Sequence, residues 1–447
     1  IAQCLVGSEM CIRDRLKIGT PFIKNHENKS ELFVNVNDNG NIKKLSYTVE
    51  NEFEKYLTYE RSDAFVVALL YYAMINEYDI EWETPCSEQL IYQLKTYYIP
   101  ICGKDVEYMN YINLTGPTTS EKLISESAAG TGFSGGVDSC YTVKKYIDYE
   151  KESYKLKYLV FTDWFISDFS DEYKEDFYKN YLERYSGYAE ELGMKFVYVG
   201  FDIDYNFSVG RIKTKVCGEI HDGGLHTLKY CSVAMALQKM MSCYYFSSGF
   251  SPKEFSMNKD DVAYMDIFTL PLISTSDLMF YSSGMEERRI DKVKYISDWE
   301  FAKKHLQVCM WDNESNCGHC SKCIRTMSEL YSLGKLDDFT ESFPVQNYKD
   351  NISKRIAHVI MESKRGHVFE KDILKNMEKN NVKMPFKSHF IWPVYYVIET
   401  LRIKFRRMKF ARKIYRKFHL DVLLHGHSTE KYSQSVDKEI LGGNKQC

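Results

Sequence analysis

The sequence predicts an α/β protein built on a doubly wound parallel sheet. Strand-like and helix-like segments alternate in order between about residues 128 and 250, and a glycine-rich turn joins the first strand to the first helix. This alternation implies parallel strands joined by crossover helices. The 447 residues also exceed the ~250 to 300 at which a single core stops growing, so further regions are expected beside the sheet.

A small α+β region is predicted to precede the sheet, in residues 16–118. Residues 1–15 resemble a translated sequencing adapter and are excluded from the fold prediction. Residues 31–49 alternate apolar and polar side chains around an Asn-Asp-Asn-Gly-Asn turn, which predicts a hairpin. Helices are predicted at about 63–76 and 87–98, and a loop rich in turn residues places a boundary near residue 118.

The elements of the predicted sheet fall within a domain assigned to residues 119–335. Its later strands are predicted at 158–162, 195–200 and 243–248, and its helices at about 140–149, 171–192 and 226–241. Beyond residue 335 the composition turns to helix formers and basic residues, which predicts a helical, basic C-terminal region over 336–447.

The glycine-rich turn has the composition of a phosphate-binding loop. It runs Gly132-Phe-Ser-Gly-Gly-Val-Asp-Ser139 between a short apolar segment and a helix. Glycines let the backbone approach an anion, and a helix N-terminus presents amide donors and a favourable dipole. Ser134 and Ser139 add hydroxyl donors, while Asp138 can hold Mg²⁺ or cap the helix. Ser-Gly-Gly alone is equally typical of a plain tight turn.

The full string Ser134-Gly135-Gly136-Val137-Asp138-Ser139 resembles the signature of the PP-loop ATP pyrophosphatases, and it lacks the Gly-Lys-Ser/Thr of a Walker A loop. The resemblance covers about residues 128–335. It implies a Rossmann-like fold of the adenine nucleotide alpha hydrolase type and cleavage of ATP to AMP and pyrophosphate through an adenylated acceptor, with Asp138 and Ser139 in the catalytic loop. It also implies adenine contacts from the ends of the second and fourth strands, namely from Phe161, Thr162, Asp163 and Gly249.

Two further residues are predicted at the site by residue type. Asp277 is the preferred candidate for contact with the acceptor, and Arg288 suits bidentate contact with phosphate. Arg288, Arg289 and Lys292 equally fit a solvated helix face with acidic neighbours.

Four cysteines lie within fifteen residues, at Cys309, Cys317, Cys320 and Cys323. Four thiolates are the ligand set of a structural, tetrahedral Zn²⁺ site, although an iron–sulfur cluster is a rival. This segment also resembles the zinc motif of 7-cyano-7-deazaguanine synthases, which couple it to the same loop. The chain is larger than that family's compact domain, so the family's substrate is not transferred.

Whole-chain properties narrow the function classes. The net charge of −3 gives no argument for a nucleic-acid partner. No apolar run approaches the ~20 residues of a membrane span, and the scattered cysteines indicate a reduced, cytoplasmic setting. The pair His221 and His226 is more typical of a glycine loop than of a metal site. Residues 401–418 form a basic amphipathic pattern that suits RNA phosphates, an anionic membrane surface, an acidic partner or plain solvent.

Together these features predict an ATP-dependent adenylating enzyme, a synthase or ligase that binds ATP, Mg²⁺ and structural Zn²⁺. It would activate a carboxylate, amide or carbonyl oxygen of a small molecule for attack by a nitrogen or sulfur nucleophile. The alternatives are a tRNA-modifying relative of the thiolation type, with RNA a less favoured partner, and a nucleotide-binding scaffold without catalysis.

Overall fold

The computed structural model describes residues 14–162, 171–207, 212–213, 219–220, 226–259, 262–309 and 315–407. The chain divides into two compact units. The first comprises Ile1–Ser167 and Lys179–Lys292, and the second comprises Asp168–Tyr178 and Val293–Cys447.

The strands all belong to the first unit. In chain order they are β1 Arg15–Ile18, β2 Phe22–Asn25, β3 Lys29–Asp38, β4 Asn41–Glu50, β5 Asp79–Trp82, β6 Cys86–Ser87, β7 Leu114–Thr115, β8 Thr118–Thr119, β9 Ala129–Gly132, β10 Leu156–Thr162, β11 Lys195–Phe201, β12 Ile212–Lys213, β13 Glu219–Ile220, β14 Cys243–Ser247 and β15 Met279–Ser283.

The helices occur in both units. They are α1 Asp63–Asn76, α2 Glu88–Gln93, α3 Ile99–Asp105, α4 Val137–Tyr146, α5 Asp171–Glu191, α6 Ile203–Phe207, α7 His226–Ala236, α8 Asp266–Ile273, α9 Arg289–Ile296, α10 Glu300–His305, α11 Ser321–Ser332, α12 Val345–Asp350, α13 Ile352–Lys364, α14 Val368–Lys379 and α15 Ser388–Arg407. None of the helices in the described ranges has the length and apolar character needed to cross a bilayer.

One mixed, largely parallel sheet forms the first unit. Five strands, in the spatial order β11-β10-β9-β14-β15, pair in parallel throughout. Numbered by their order along the chain, these strands lie in the order 3-2-1-4-5, so the order reverses between β9 and β14. Beyond β11 the sheet continues through β4, β3, β1, β5 and β7, with β4 antiparallel to β11.

Close packing explains the small residues of β9, the central strand. A side chain at Gly130 would place its Cβ 2.7 Å from the sulfur of Met241, so the buried Met241 side chain would have to shift to admit it. Against the sheet pack α1 and α7, and α1 is apolar on nearly every face because it is surrounded by protein. The core is therefore shared by the N-terminal elements and the α/β series.

Several predicted elements are confirmed. The hairpin is β3 and β4, α1 has the predicted bounds, and the α/β class with a largely parallel sheet holds. The predicted helix at 87–98 is instead α2 followed by a π-helical turn over Leu94–Tyr98. Arg15, excluded with the adapter-like residues, begins β1 and contacts Glu81 at 2.6 Å. The boundaries near residues 118 and 335 stay predictions, although the hairpin and the α/β series share one sheet.

The second unit is helical in its described part. Helices α11, α13 and α14 pack together, with Ile356, Val359 and Ile373 in the centre of a small apolar core. Residues 315–320 form a loop that leads into α11 and carries two of the four clustered cysteines. Between residue 336 and Arg407 the described residues lie mainly in helices α12 to α15. The helical, basic region over 336–447 stays a prediction as a domain.

Candidate functional site

The glycine-rich loop lies at the carboxyl end of β9 and opens α4. Gly135 has φ +71°, in the left-handed region where a side chain is strained, and Gly136 is the N-cap of α4. The first turn of a helix leaves its backbone N–H groups without helical partners. The amides of Val137, Asp138 and Ser139 occupy that turn, so the predicted strand–turn–helix arrangement is present.

The two loop serines face each other across the turn. Their Oγ atoms are 3.3 Å apart, and the Ser139 hydroxyl donates to the carbonyl of Gly136 at 3.1 Å. From α5, the Tyr185 hydroxyl donates to the carbonyl of Ser134 at 2.9 Å. These contacts hold the loop in one conformation, with exposed Ser134 and buried Ser139 on either side of the helix start.

Two cationic side chains from the segment that follows β15 contact the carboxylate of Asp138. Lys292 donates from Nζ to Oδ1 at 2.9 Å, and Nη1 of Arg289 lies 3.6 Å from Oδ2. The Lys292 side chain is only 2% exposed, and it also donates to the carbonyl of Ser248 at the end of β14. Two cations and one carboxylate leave a local charge of +1, which favours an anion rather than a bare metal ion.

The residues of this basic segment that contact Asp138 are two neighbours of Arg288, the residue predicted from the sequence. Arg288 is exposed and pairs with Asp291 at 2.9 Å, whereas Lys292 and Arg289 point towards the loop. The solvated-face alternative is wrong for Lys292, which is buried. Helical spacing offered no signal here, since Lys292 shares a helix face with Arg289, three residues before it, and equally with Arg288, four residues before it.

A group of hydroxyls joins α4 to the strand ends below the loop. Thr142 contacts the Oγ atoms of Ser247 and Ser283 at 2.9 Å each, and it donates to the carbonyl of Asp138 at 3.0 Å. None of the three hydroxyl residues was singled out from the sequence. Their contacts fix the register of the helix N-terminus against β14 and β15.

Gly249 lies where the prediction put it, just beyond the carboxyl end of β14. A Cβ added at Gly249 would meet nothing within 4 Å, so there is open space beside the strand end. Since β14 neighbours β9, this space lies next to the loop at the point where the strand order reverses, which is where open α/β sheets bind ligands.

At the end of β10, the residues predicted to contact adenine already contact other parts of the protein. The ring of Phe161 packs against Tyr185 with ring centroids 5.3 Å apart, and the Thr162 hydroxyl donates to the carbonyl of Val199 at 2.7 Å. Asp163 lies outside the described residues, as does His221. Both Phe161 and Thr162 therefore serve the fold in this conformation.

Asp277 lies at the opposite end of the strands from the loop. It precedes β15, at the amino ends of the parallel strands, whereas the loop follows the carboxyl end of β9. Its side chain is buried, lies 4.0 Å from Arg61 and accepts the backbone N–H of Leu123 at 3.1 Å. A strand thus separates Asp277 from the loop, and its carboxylate has structural partners; its contact with an acceptor stays a prediction.

In the second unit the four cysteines form one compact cluster. Their sulfur atoms all lie within 4.8 Å of one another, and this group could bind a metal ion such as zinc. Around a tetrahedral ion at ~2.3 Å the sulfurs would be about 3.8 Å apart. Cys317 and Cys323 already have that spacing, at 3.9 Å. The backbone N–H groups of Cys320 and Cys323 donate to the sulfurs of Cys317 and Cys320, at 3.3 and 3.4 Å.

Asn316 organises the loop behind this cluster and was not predicted. Its side-chain oxygen accepts the backbone N–H groups of Val308 and Cys309 at 2.9 and 3.1 Å. Its amide nitrogen donates to the carbonyls of Leu306 and Ser342 at 2.7 and 2.8 Å. The asparagine is 5% exposed, so it joins three stretches of chain around the first cysteine.

Gly318, directly after Cys317, lets the cysteine loop turn back on itself. Its φ is +73°, and a Cβ there would lie 2.4 Å from Cγ of Pro344. Burial raises the pKa of Cys317 to about 11, and the contact with Cys320 together with burial raises the pKa of Cys323. Without a metal these thiols stay protonated, whereas a bound cation favours the thiolate.

Comparison of the chain with models of known protein families, with curated proteins and with solved structures gave no match.

Proposed function

We propose that this chain is an ATP-using enzyme of the PP-loop pyrophosphatase type, which cleaves ATP to AMP and pyrophosphate while it adenylates an acceptor oxygen. One observation carries the proposal. The loop Ser134–Ser139 follows the central strand β9, opens α4 and lies where the strand order reverses. That position, rather than the glycines alone, separates a nucleotide loop from an ordinary tight turn.

The strand order 3-2-1-4-5 supports a doubly wound, Rossmann-like fold of the adenine nucleotide alpha hydrolase kind for this part of the sheet. A nucleotide would then lie across the carboxyl ends of β9 and β14, with its phosphates on the first turn of α4. The open space beside Gly249 is on the same edge.

The charges around Asp138 support a polyphosphate as ligand. Lys292 and Arg289 already neutralise the carboxylate, so Mg²⁺ is better accommodated together with the phosphates than before them. Once Lys292 and Arg289 contact the phosphates instead of Asp138, one carboxylate oxygen of Asp138 becomes available to bind Mg²⁺. Amides, hydroxyls and cations fixed before binding cost little reorganisation when charge develops on the departing pyrophosphate.

The chemistry that fits is nucleophilic displacement at the α-phosphorus. An oxygen of a carboxylate, amide or carbonyl attacks, the bond to the β-phosphate oxygen breaks, and pyrophosphate leaves with the electron pair. A nitrogen or sulfur nucleophile then displaces AMP from the adenylated carbon. The protein contributes mainly positioning and charge stabilisation.

For the cysteine cluster we propose a structural zinc ion. Four thiolates leave no open coordination position for chemistry. The small spread of the sulfurs favours a single ion over an iron–sulfur cluster, which is larger and holds its ligands farther apart.

The test is release of AMP and pyrophosphate from α-labelled ATP by the full chain, with Mg²⁺ and fractionated metabolites or tRNA. Ser139→Ala should lower acceptor-dependent turnover by about 10²-fold through loss of a charge-stabilising donor. Arg288→Ala removes an exposed side chain that pairs with the partly exposed Asp291, so it is the matched control and should keep full activity.

Acceptor-dependent AMP from a metabolite fraction would support the proposal, and AMP formed only with tRNA would favour the RNA-modifying alternative. ATP binding without AMP release in any fraction would overturn the proposed catalysis and leave a nucleotide-binding scaffold.

A further inference from the structure

The last described helix, α15, exposes its apolar face instead of burying it. The most exposed apolar side chains of the segment recur every three or four residues, a spacing that places them on one side of a helix. We call them the exposed stripe: Phe386 at 75%, Phe390 at 66%, Val394 at 56%, Val397 at 56% and Leu401 at 57% exposure. The first two rings contact each other, with centroids 5.1 Å apart.

The other side of α15 holds the helix on the second unit. Ser388 donates to the carbonyl of Ser353 at 2.9 Å, Trp392 packs on the small core, and Glu399 lies 3.9 Å from Arg365. The helix is thus docked through a face that is partly polar. The helix is therefore docked, yet its stripe stays exposed among the described residues. Burial of the stripe would need a partner outside those residues.

The sequence that begins inside α15 supplies a strong positive charge. Residues 402–417 contain nine lysines and arginines and neither aspartate nor glutamate, in a chain whose net charge is −3. Apolar residues continue through the same stretch at helical spacing, as Phe405, Met408 and Tyr415. An exposed apolar stripe therefore runs directly into a concentrated basic segment.

We propose that α15, together with the basic residues of its last turns, forms a docking surface for an anionic lipid bilayer. The stripe would enter the boundary between headgroups and acyl chains, with the helix parallel to the membrane plane, while the basic residues contact lipid phosphates. A second copy of the chain would bring two sets of nine positive charges together. Nucleic acid would satisfy the charges but would leave five large apolar side chains in water. An anionic bilayer meets both requirements.

Vesicle co-sedimentation of the full chain tests this docking surface. Each basic residue near an anionic surface contributes about fivefold in affinity, so vesicles of phosphatidylcholine with phosphatidylglycerol should bind at least tenfold more tightly than phosphatidylcholine alone. Binding should weaken as salt is raised, because the headgroup attraction is screened.

Variants separate the stripe from the charge. Val394→Glu combined with Val397→Glu should reduce binding to the mixed vesicles at least tenfold, and since both side chains are exposed the fold should be retained. His389→Glu places a negative charge on an exposed position off the stripe and serves as the matched control, with less than threefold loss expected. Replacing Arg402, Lys404, Arg406 and Arg407 together by glutamine should flatten the salt dependence.

Equal binding to neutral and mixed vesicles, or none to either, would overturn the proposal. So would concentration-dependent dimerisation that the paired valine variant abolishes, since a second copy would then cover the stripe. Binding of tRNA instead of vesicles, unaffected by the valine changes, would assign the basic segment to nucleic acid.

Discussion

The contact between Asp138 and Lys292 makes a quantitative prediction about coupling. The two groups are 2.9 Å apart, the Lys292 side chain is 2% exposed and the Asp138 side chain 28% exposed. Removing one partner of a fully buried pair costs ~3 to 5 kcal/mol. Here Arg289, at 3.6 Å, and partial solvent contact still compensate Asp138, so we expect a smaller interaction energy.

We expect Asp138→Asn and Lys292→Met to be coupled by about 2 kcal/mol in a double-mutant cycle. The measurement is urea unfolding of the four proteins followed by circular dichroism, without nucleotide. The Arg288–Asp291 pair is the control, because both its side chains are more than a third exposed and its coupling should be about 0.3 kcal/mol. A coupling for Asp138 and Lys292 no larger than this control would refute the geometry.

Three further predictions concern other parts of the chain. Asn316→Ala should weaken zinc binding by about 10- to 100-fold in a chelator competition, since it removes the bonds that hold the first cysteine's loop; unchanged affinity would contradict that role. Glu126 accepts the hydroxyls of Tyr158 and Tyr56, chiefly the former, which lowers its pKa. Because its folded-state pKa is lowered, ionised Glu126 stabilises the fold above the ordinary value of ~4.3, and this contribution is lost as the pH falls through the lowered pKa. Glu126→Gln should therefore be less stable than wild type at pH 7, by no more than about 1 kcal/mol for this largely exposed group, and the difference should shrink as the pH falls below ~4. Asp277→Asn should lower stability by about 2 kcal/mol, because it weakens a buried ionic contact, yet leave turnover per folded molecule unchanged; a selective loss of turnover would return Asp277 to the site.

Local pattern was enough to predict the loop, the cysteine cluster and most elements of the sheet. The loop needs glycine at Gly135 and a helix start directly after it, and both needs are visible within eight residues. The four cysteines gather because short spacings and a left-handed Gly318 bend the chain back on itself. Such features depend on neighbours in sequence, so they can be predicted without knowledge of the tertiary structure.

What could not be predicted depended on contacts distant in sequence. Asp277 looked suitable for catalysis because nothing in its neighbourhood shows that it precedes a strand instead of following one. Lys292 and Arg289 could be separated from Arg288 only by knowing which helix face meets Asp138, 154 residues earlier for Lys292. Asn316 joins four backbone groups over a range that no local motif encodes.

The antiparallel pairing between β4 and β11 limits how far the protein can be truncated from its N-terminus. Tyr47 and Phe201 stack across it with centroids 4.4 Å apart, and Gly200 pairs with Thr48. Deleting the N-terminal hairpin would expose the edge of β11. The unpaired backbone N–H and C=O groups of an exposed edge strand can then pair with a strand of another chain. A fragment that begins just before the glycine-rich loop is therefore expected to aggregate, and a useful shortened version must keep residues 14–118.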